Sequence, residues 1–224
     1  MKSEQLVKLV AISTPRIDGV TTAEELIAYC ARVSNPANQA NMDTGPKLIR
    51  YLLKNKHWSP LEMVSLTLEI NTTRDIARQI LRHRSFSFQE FSQRYADPTK
   101  DLKFITKDAR LQDTKNRQNS LPTTNKKLSE EWEARQQGVI LRAQTIYEWA
   151  IKNGIAKEQA RAVLPEGCTM SRLYMAGSIR SWVHYCDLRR KNGTQLEHQV
   201  IAEACWQILK QEFPSIAEAL EEQE

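Results

Sequence analysis

From Val64 to Ile70 the chain alternates without a break, with Val64, Leu66, Leu68 and Ile70 on one side and Ser65, Thr67 and Glu69 on the other. A strand repeats every second residue, so this stretch can bury one face and leave the other wet, which a helix could not do. Thr72-Thr73-Arg74-Asp75 follows and reads as a helix start. Ile76, Ala77, Ile80 and Leu81 then recur at helical spacing and point inward, leaving Arg74, Arg78, Gln79 and Arg82 toward the polar side. The chain therefore needs a sheet, and a helix leading directly out of it.

The flanking pattern supplies the remaining elements. Leu6 to Ile12 reads as an opening strand. Thr22-Ala23-Glu24-Glu25 is a capping box, followed by a helical stripe at Leu26, Ile27, Cys30 and Val33. Asn35 to Gly45 reads as a polar loop, and Pro46 opens a helix that buries Leu48, Ile49, Leu52 and Leu53. Ser59-Pro60-Leu61-Glu62 is a further short capped start. Residues 97–127 are polar, and a loop so long is either functional or disordered. It is read here as a mobile excursion, a lid carrying Arg110, Arg117 and Gln118.

Ser129 is expected to cap a long helix bearing Trp132, Val139, Ile140, Ala143, Ile146, Tyr147 and Ala150, ended by Asn153-Gly154. A second helix spans Ala156 to Leu164, a third Ser171 to Arg190, with Gly193 as breaker. A fourth covers Leu196 to Glu212 with Val200, Ile201, Ala204, Ile208 and Leu209 inward. The sum is one α/β domain of the α+β kind over residues 1–224, a small sheet framed by helices.

At 224 residues, 41% hydrophobic and 26% charged, the chain can bury a sizeable core and is not of disordered type. No apolar run approaches the roughly 20 residues of a membrane span. The start, Met1-Lys2-Ser3-Glu4, leads into a short apolar stretch broken by Lys8, which reads as a strand and not as an export signal; a cytoplasmic protein is expected. The net charge of +5 is not gathered into a tail or stripe, so small anions are the expected partners, not nucleic acid or membrane. Cys30, Cys168, Cys186 and Cys205 lack CxxC spacing, which argues against structural zinc, and a chain this long with no export signal is not expected to rest on a disulfide framework. The histidines show no metal-ligand spacing either, and no metal is expected.

Arg82-His83-Arg84-Ser85-Phe86-Ser87-Phe88-Gln89-Glu90-Phe91-Ser92-Gln93-Arg94-Tyr95 is too polar for a core and too patterned for an ordinary surface. Arginine makes planar, bidentate contacts to phosphate, and serine fills the acceptors left over, so the run suits an anionic, hydroxylated ligand such as a nucleotide. Arg82 and Arg84 could instead be a solvated helix end, and His198 a plain helix residue. Ser92 has no evident triad partner, so binding is the better reading than nucleophilic attack.

The run resembles the RHRxxSxNExSxRY signature of the flavin-dependent thymidylate synthases, matched at Arg82, His83, Arg84, Ser87, Glu90, Ser92, Arg94 and Tyr95, with Gln89 where the pattern has Asn. His57-Trp58-Ser59-Pro60-Leu61-Glu62, Gln79, Arg161 with Leu164-Pro165, Arg180-Ser181, His184, Leu188-Arg189 and Gln195-x-Glu197 resemble further segments of that family, in order, from about residue 20 to residue 212. The resemblance implies a mainly antiparallel sheet and a homotetramer whose active sites form between subunits. It implies conversion of dUMP to dTMP with FAD, NADPH and 5,10-methylenetetrahydrofolate. The reduced flavin would mediate methylene transfer through N5 and supply the hydride, without a cysteine nucleophile.

It also implies roles. Arg189 would stabilise charge on the uracil, and His57 would face the folate and nicotinamide. Gln79, Arg82, Glu90, Ser92, Gln93, Arg94, Arg161 and Arg189 would hold dUMP, Arg161 from another subunit and Arg94 at the phosphate. Arg82, His83, Arg84, Ser87, Glu90, Ser178, Arg180 and His184 would hold FAD, with Ser178 at a position where some relatives have Asn. Three other readings remain open: a methyltransferase using Cys168, an RNA-binding module using Phe86, Phe88 and Tyr95, and a flavoprotein of the same fold without synthase activity.

Overall fold

The computed structural model describes residues 6–191 and 193–222. The opening Met1-Lys2-Ser3-Glu4, on which the expectation of no export signal partly rested, lies outside them. In chain order come β1 (Val7–Ile12), α1 (Ala23–Ala31), α2 (Gly45–Lys54), β2 (Ser65–Thr73), α3 (Arg74–Ile80), β3 (Ser87–Glu90), α4 (Pro98–Asp101), β4 (Arg110–Gln112) and β5 (Ser120–Pro122). Then follow α5 (Lys126–Lys152), α6 (Lys157–Ala160), β6 (Met170–Ser178), α7 (Ile179–Arg189), α8 (Leu196–Glu212) and α9 (Pro214–Glu221). The sheet runs β1-β2-β6-β3, every neighbour antiparallel, and β4 and β5 form a separate hairpin.

The alternating run becomes β2, paired along its whole length with β6, so that Leu68 faces Met175 and Ile70 faces Leu173. All four are fully buried under helices. Each such side chain removed from water contributes about 1.5–3 kcal/mol. The opposite face is polar: the Tyr174 hydroxyl donates to Glu69 at 3.0 Å and Arg172 Nε donates to Asn71 at 3.1 Å. On the buried face Trp182 Nε1 donates to the Leu66 carbonyl at 3.0 Å, which pins α7 to the sheet. The capping box forms as its spacing requires, with Thr22 Oγ1 accepting from Glu25 N–H and Glu25 accepting from Thr22 N–H.

Several expectations are corrected. Ser171–Arg190 is not one helix: Met170–Ser178 is a strand that passes directly into α7 at Ser178. Ser171, Leu173 and Met175 are buried while Arg172 and Tyr174 are exposed, a period-two signal too short to stand out beside the helix that follows. Within the arginine-rich run, Ser87–Glu90 forms an edge strand. Asn125, not Ser129, caps the long helix, accepting from Leu128 N–H at 3.1 Å. Val33, Val139 and Val200 are exposed, and Arg74 is buried. Ala156–Leu164 is a short helix continued as a 3-10 turn, and α9 had no counterpart in the reading. Residues 97–127 carry α4 and the β4–β5 hairpin; Lys107 is tied to Asp75, and its backbone is bonded twice to the Gln136 amide.

The turn between α3 and β3 is packed through Phe86, whose ring lies edge-on to Trp182 at 4.8 Å. Gly177 on β6 makes room for it: a Cβ there would lie 2.5 Å from Phe86 Cδ1. Gly177→Ala is therefore expected to overpack this corner and destabilise the fold by about 1–3 kcal/mol. Urea denaturation checks this, and an unchanged midpoint would contradict it.

Candidate active site

The site is assembled by two junctions. At the first, α3 leaves the sheet and ends at Ile80, so His83 N–H bonds back to the Ile80 carbonyl at 3.1 Å and the chain turns toward the sheet edge. There β3 pairs with β6, Glu90 opposite Leu173. Alternation along β3 leaves Ser87 and Gln89 exposed and puts Phe88 and Glu90 on the packed face. At the second junction β6 passes into α7, whose last turn carries Arg189.

Arg189 meets the first junction directly, donating from Nε to His83 Nε2 at 2.9 Å. That geometry needs a bare Nε2, hence a neutral ring with its proton on Nδ1. The surroundings enforce this: burial, then the charges of Arg189 and Arg82, pull His83 down to about 4. The imidazole stands edge-on to Tyr185 at 5.0 Å. Beside it His198, fully buried, is pulled down to about 3 by burial, Arg189 and His83. Two neutral imidazoles thus lie under an arginine and add no positive charge of their own. The bond uses the Nε–H, so the Nη fork is what Arg189 can offer to a ligand.

A second group forms around Glu90. Its carboxylate accepts from the Ser171 hydroxyl at 2.8 Å and from Arg74 Nη1 at 3.4 Å, with both side chains of the ion pair largely buried. Arg74 also lies 3.9 Å from Glu166, which Arg78 approaches at 3.5 Å. Gln93 is buried, and its Nε2 has no hydrogen-bond partner among the described residues. A buried donor left in this state costs about 1–3 kcal/mol. Nearby, Arg94 Nε sits 4.0 Å from the Glu158 carboxylate and Arg161 Nε donates to the Glu158 carbonyl at 3.3 Å. Lys157 donates to the Tyr95 carbonyl at 2.8 Å. Ser92 Oγ accepts from Arg94 N–H at 3.4 Å, a structural bond.

The remaining expected residues stand elsewhere on this chain. Ser178 caps α7, and Arg180 donates to Glu62 at 2.6 Å. The His184 ring contacts Trp58 at a tilt of 56°, with centroids 4.4 Å apart, beside a cleft of 690 Å³. His57 is exposed on the turn after α2, edge-on to Tyr51. Arg82, Arg84 and Ser87 are exposed at the first junction. Burial raises the thiols of all four cysteines, Cys168 included, away from the reactive thiolate.

Sequence reasoning missed Arg74, Ser171, Tyr185 and His198. The signal for His198 was in the sequence. The buried stripe of α8 is His198, Ile201, Ala202, Cys205 and Leu209, whereas a stripe phased on Val200 and Ala204 turns the histidine away from the core. Arg74 gave no such signal, because what draws it inward is Glu90, sixteen residues on.

Both imidazoles are neutral in the fold, whereas an unfolded histidine titrates near 6.5, so between pH 6.5 and about 4 the unfolded chain binds more protons. Their contribution is fully present above pH 6.5 and is lost as pH falls through that window, by at most about 1.4 kcal/mol per pH unit for each ring. The urea midpoint is expected to drop from pH 7 to pH 4.5, and less steeply in His198→Asn. Identical slopes in the two proteins would contradict this.

The model of the family described as thymidylate synthase complementing protein matches residues 17–215. A probable flavin-dependent thymidylate synthase of Paramecium bursaria Chlorella virus 1 is 50% identical over 214 residues, 96% of this chain and 98% of that one. The flavin-dependent thymidylate synthase of Synechocystis sp. is 48% identical over 218 residues, 96% and 99% of the two chains. Among solved structures, a UMP/dUMP methylase PolB from Streptomyces cacaoi bound with 5-Br dUMP is similar with a TM-score of 0.79 and 26% identity, covering 95% of this chain and 93% of that one. A match of this extent, on a chain whose motif folds into the corner just described, places the protein in the flavin-dependent thymidylate synthase family.

Proposed function

We propose that the protein reductively methylates dUMP to dTMP, with 5,10-methylenetetrahydrofolate as carbon donor and NADPH as reductant through FAD, and without a cysteine nucleophile. The observation that carries the reading is the Arg189 guanidinium, held by a neutral His83 at the meeting of the two motif segments. A uracil polarised toward an enolate-like form, with negative charge on its carbonyls, is the better C5 nucleophile, and a fixed guanidinium in a partly buried corner favours that form. His83, being neutral, orients Arg189 without competing for the anion. The raised cysteine thiols offer no comparable nucleophile.

Glu90, locked by Ser171 and Arg74, would accept from the nucleotide, and Gln79, Ser92 and the unpartnered Gln93 amide would donate to or accept from it. Arg94 and Arg161, which meet around Glu158, suit the phosphate. The residues present also suit FAD: exposed guanidiniums of Arg82 and Arg84 for its pyrophosphate, Ser87, Ser178, Arg180 and Glu90 as polar contacts, and the tilted Trp58–His184 pair as ring contacts. Bound FAD supplies the redox step, taking hydride from NADPH. His57, on the turn beside Trp58, would face the folate and nicotinamide.

In one chain these groups are spread over separate places, which supports a homotetramer with shared sites. Exposed Leu128, Trp132, Val139 and Trp149 on α5 offer apolar surface for such contacts. A cytoplasmic place suits such an enzyme. Among the described residues no helix is long and apolar enough to cross a membrane.

Arg189→Ala is expected to lower dTMP formation by about 10²–10³, the effect of removing one preorganised charge contact, while Cys168→Ala keeps near wild-type activity. Product analysis by mass checks both, and loss in Cys168→Ala with retention in Arg189→Ala would overturn the reading. The likeness to a UMP/dUMP methylase supports a second substrate, so UMP belongs in the same assay. Turnover of UMP at the dUMP rate would mark a differently specific enzyme of this family.

A further inference from the structure

Glu197 sets the direction of a chain of hydrogen bonds that reaches the proposed nucleotide site. Burial works against its charge, but Arg110 and Gln195 hold its carboxyl below the usual carboxylate range, with Arg110 Nη2 on both oxygens at 2.8 and 3.0 Å. A carboxylate only accepts, so the Gln195 amide nitrogen must face it, as it does at 3.0 Å. Gln195 Oε1 then faces Gln79 and accepts from Gln79 Nε2 at 2.8 Å. Gln79 Oε1 is left facing His198 Nδ1 at 3.3 Å, which must carry the proton. The neutral ring then has a bare Nε2, and the Tyr185 hydroxyl, 3.1 Å away, donates to it. Tyr185 and His198 are both buried, so these two groups cannot exchange their partners for bulk water.

We infer that His198 is a positioning residue: with the Gln79 amide already turned by Gln195, the Nδ1–H of a ring gripped by Tyr185 anchors its oxygen end and locks that flip, so that a donor and a lone pair of fixed identity are presented to the pyrimidine nucleotide. The inference rests on the reading of Gln79 as a nucleotide contact. A uracil edge alternates acceptors with the N3–H donor, so an amide in the wrong flip meets it donor to donor. Losing the lock costs one hydrogen bond, about tenfold in affinity.

The test is the dUMP dissociation constant of the FAD-loaded protein, measured calorimetrically without turnover. Gln79→Leu and His198→Leu should each weaken dUMP about tenfold, and His198→Leu should cost nothing further in the Gln79→Leu background. His198→Asn, whose amide nitrogen can replace Nδ1–H, should recover most of the affinity. Tyr185→Phe should weaken dUMP because it frees the ring that holds Gln79, while ¹⁵N spectra should still show His198 Nδ1 protonated toward the Gln79 oxygen. If His198→Leu does not fold, the Asn and Phe variants carry the test. Unchanged dUMP binding in Gln79→Leu would remove the premise and the inference with it. Weakened binding in Gln79→Leu with none in His198→Leu or Tyr185→Phe, or additive losses in the double variant, would overturn the inference alone.

Discussion

The pairing of β3 with β6 is the contact on which the rest of the structure depends. It sews a four-residue piece of the arginine-rich run onto the sheet edge, beside the strand that runs into α7. Without it His83 and Glu90 would sit on a free loop, and neither Arg189 nor Ser171 would find its partner. The pairing is short, so packing has to hold it. Phe86 and Phe88 pack against the core, and Gly177 gives Phe86 the space. A rigid scaffold thereby carries a polar site that could not hold its own shape.

The electrostatics of the site follow from how each cation is held. Arg74 is matched by Glu90, and Arg110 by Glu197. Arg189 instead rests on a neutral imidazole, so its charge is oriented but not cancelled. An ion pair would have oriented the same guanidinium while quenching its attraction for an anion. Arg74 and Arg110 are thus tied down by carboxylates, whereas the arginine that would meet the uracil is left net positive.

Much of this was legible in the sequence. The alternation at Val64–Ile70 gave β2, the capping box gave α1, and the ordered motif segments gave the family. What stayed hidden was set by distant partners. β6 is a strand because β2 and β3 flank it, although residues 171–190 also carry apolar side chains at helical spacing. Arg74 turns inward to meet a carboxylate sixteen residues away, which local periodicity cannot show. His198 disappeared through a small error of phase along α8, and with it went the bond to Gln79. Such errors fall where polar groups are buried, because burial of a polar residue depends on a partner and hydrophobic patterning records only the apolar ones.

The central claim is that this corner supports a flavin route to dTMP, with Arg189 steadying the uracil and no thiol involved. A single anaerobic turnover tests it most directly. The FAD-loaded protein is reduced with NADPH, freed of excess reductant, and mixed with dUMP and 5,10-methylenetetrahydrofolate, with flavin absorbance and dTMP followed together. The account predicts that oxidised flavin returns in step with dTMP, one for one, and equally after all accessible cysteines are alkylated. dTMP formed with the flavin still reduced, or abolished by alkylation alone, would contradict it.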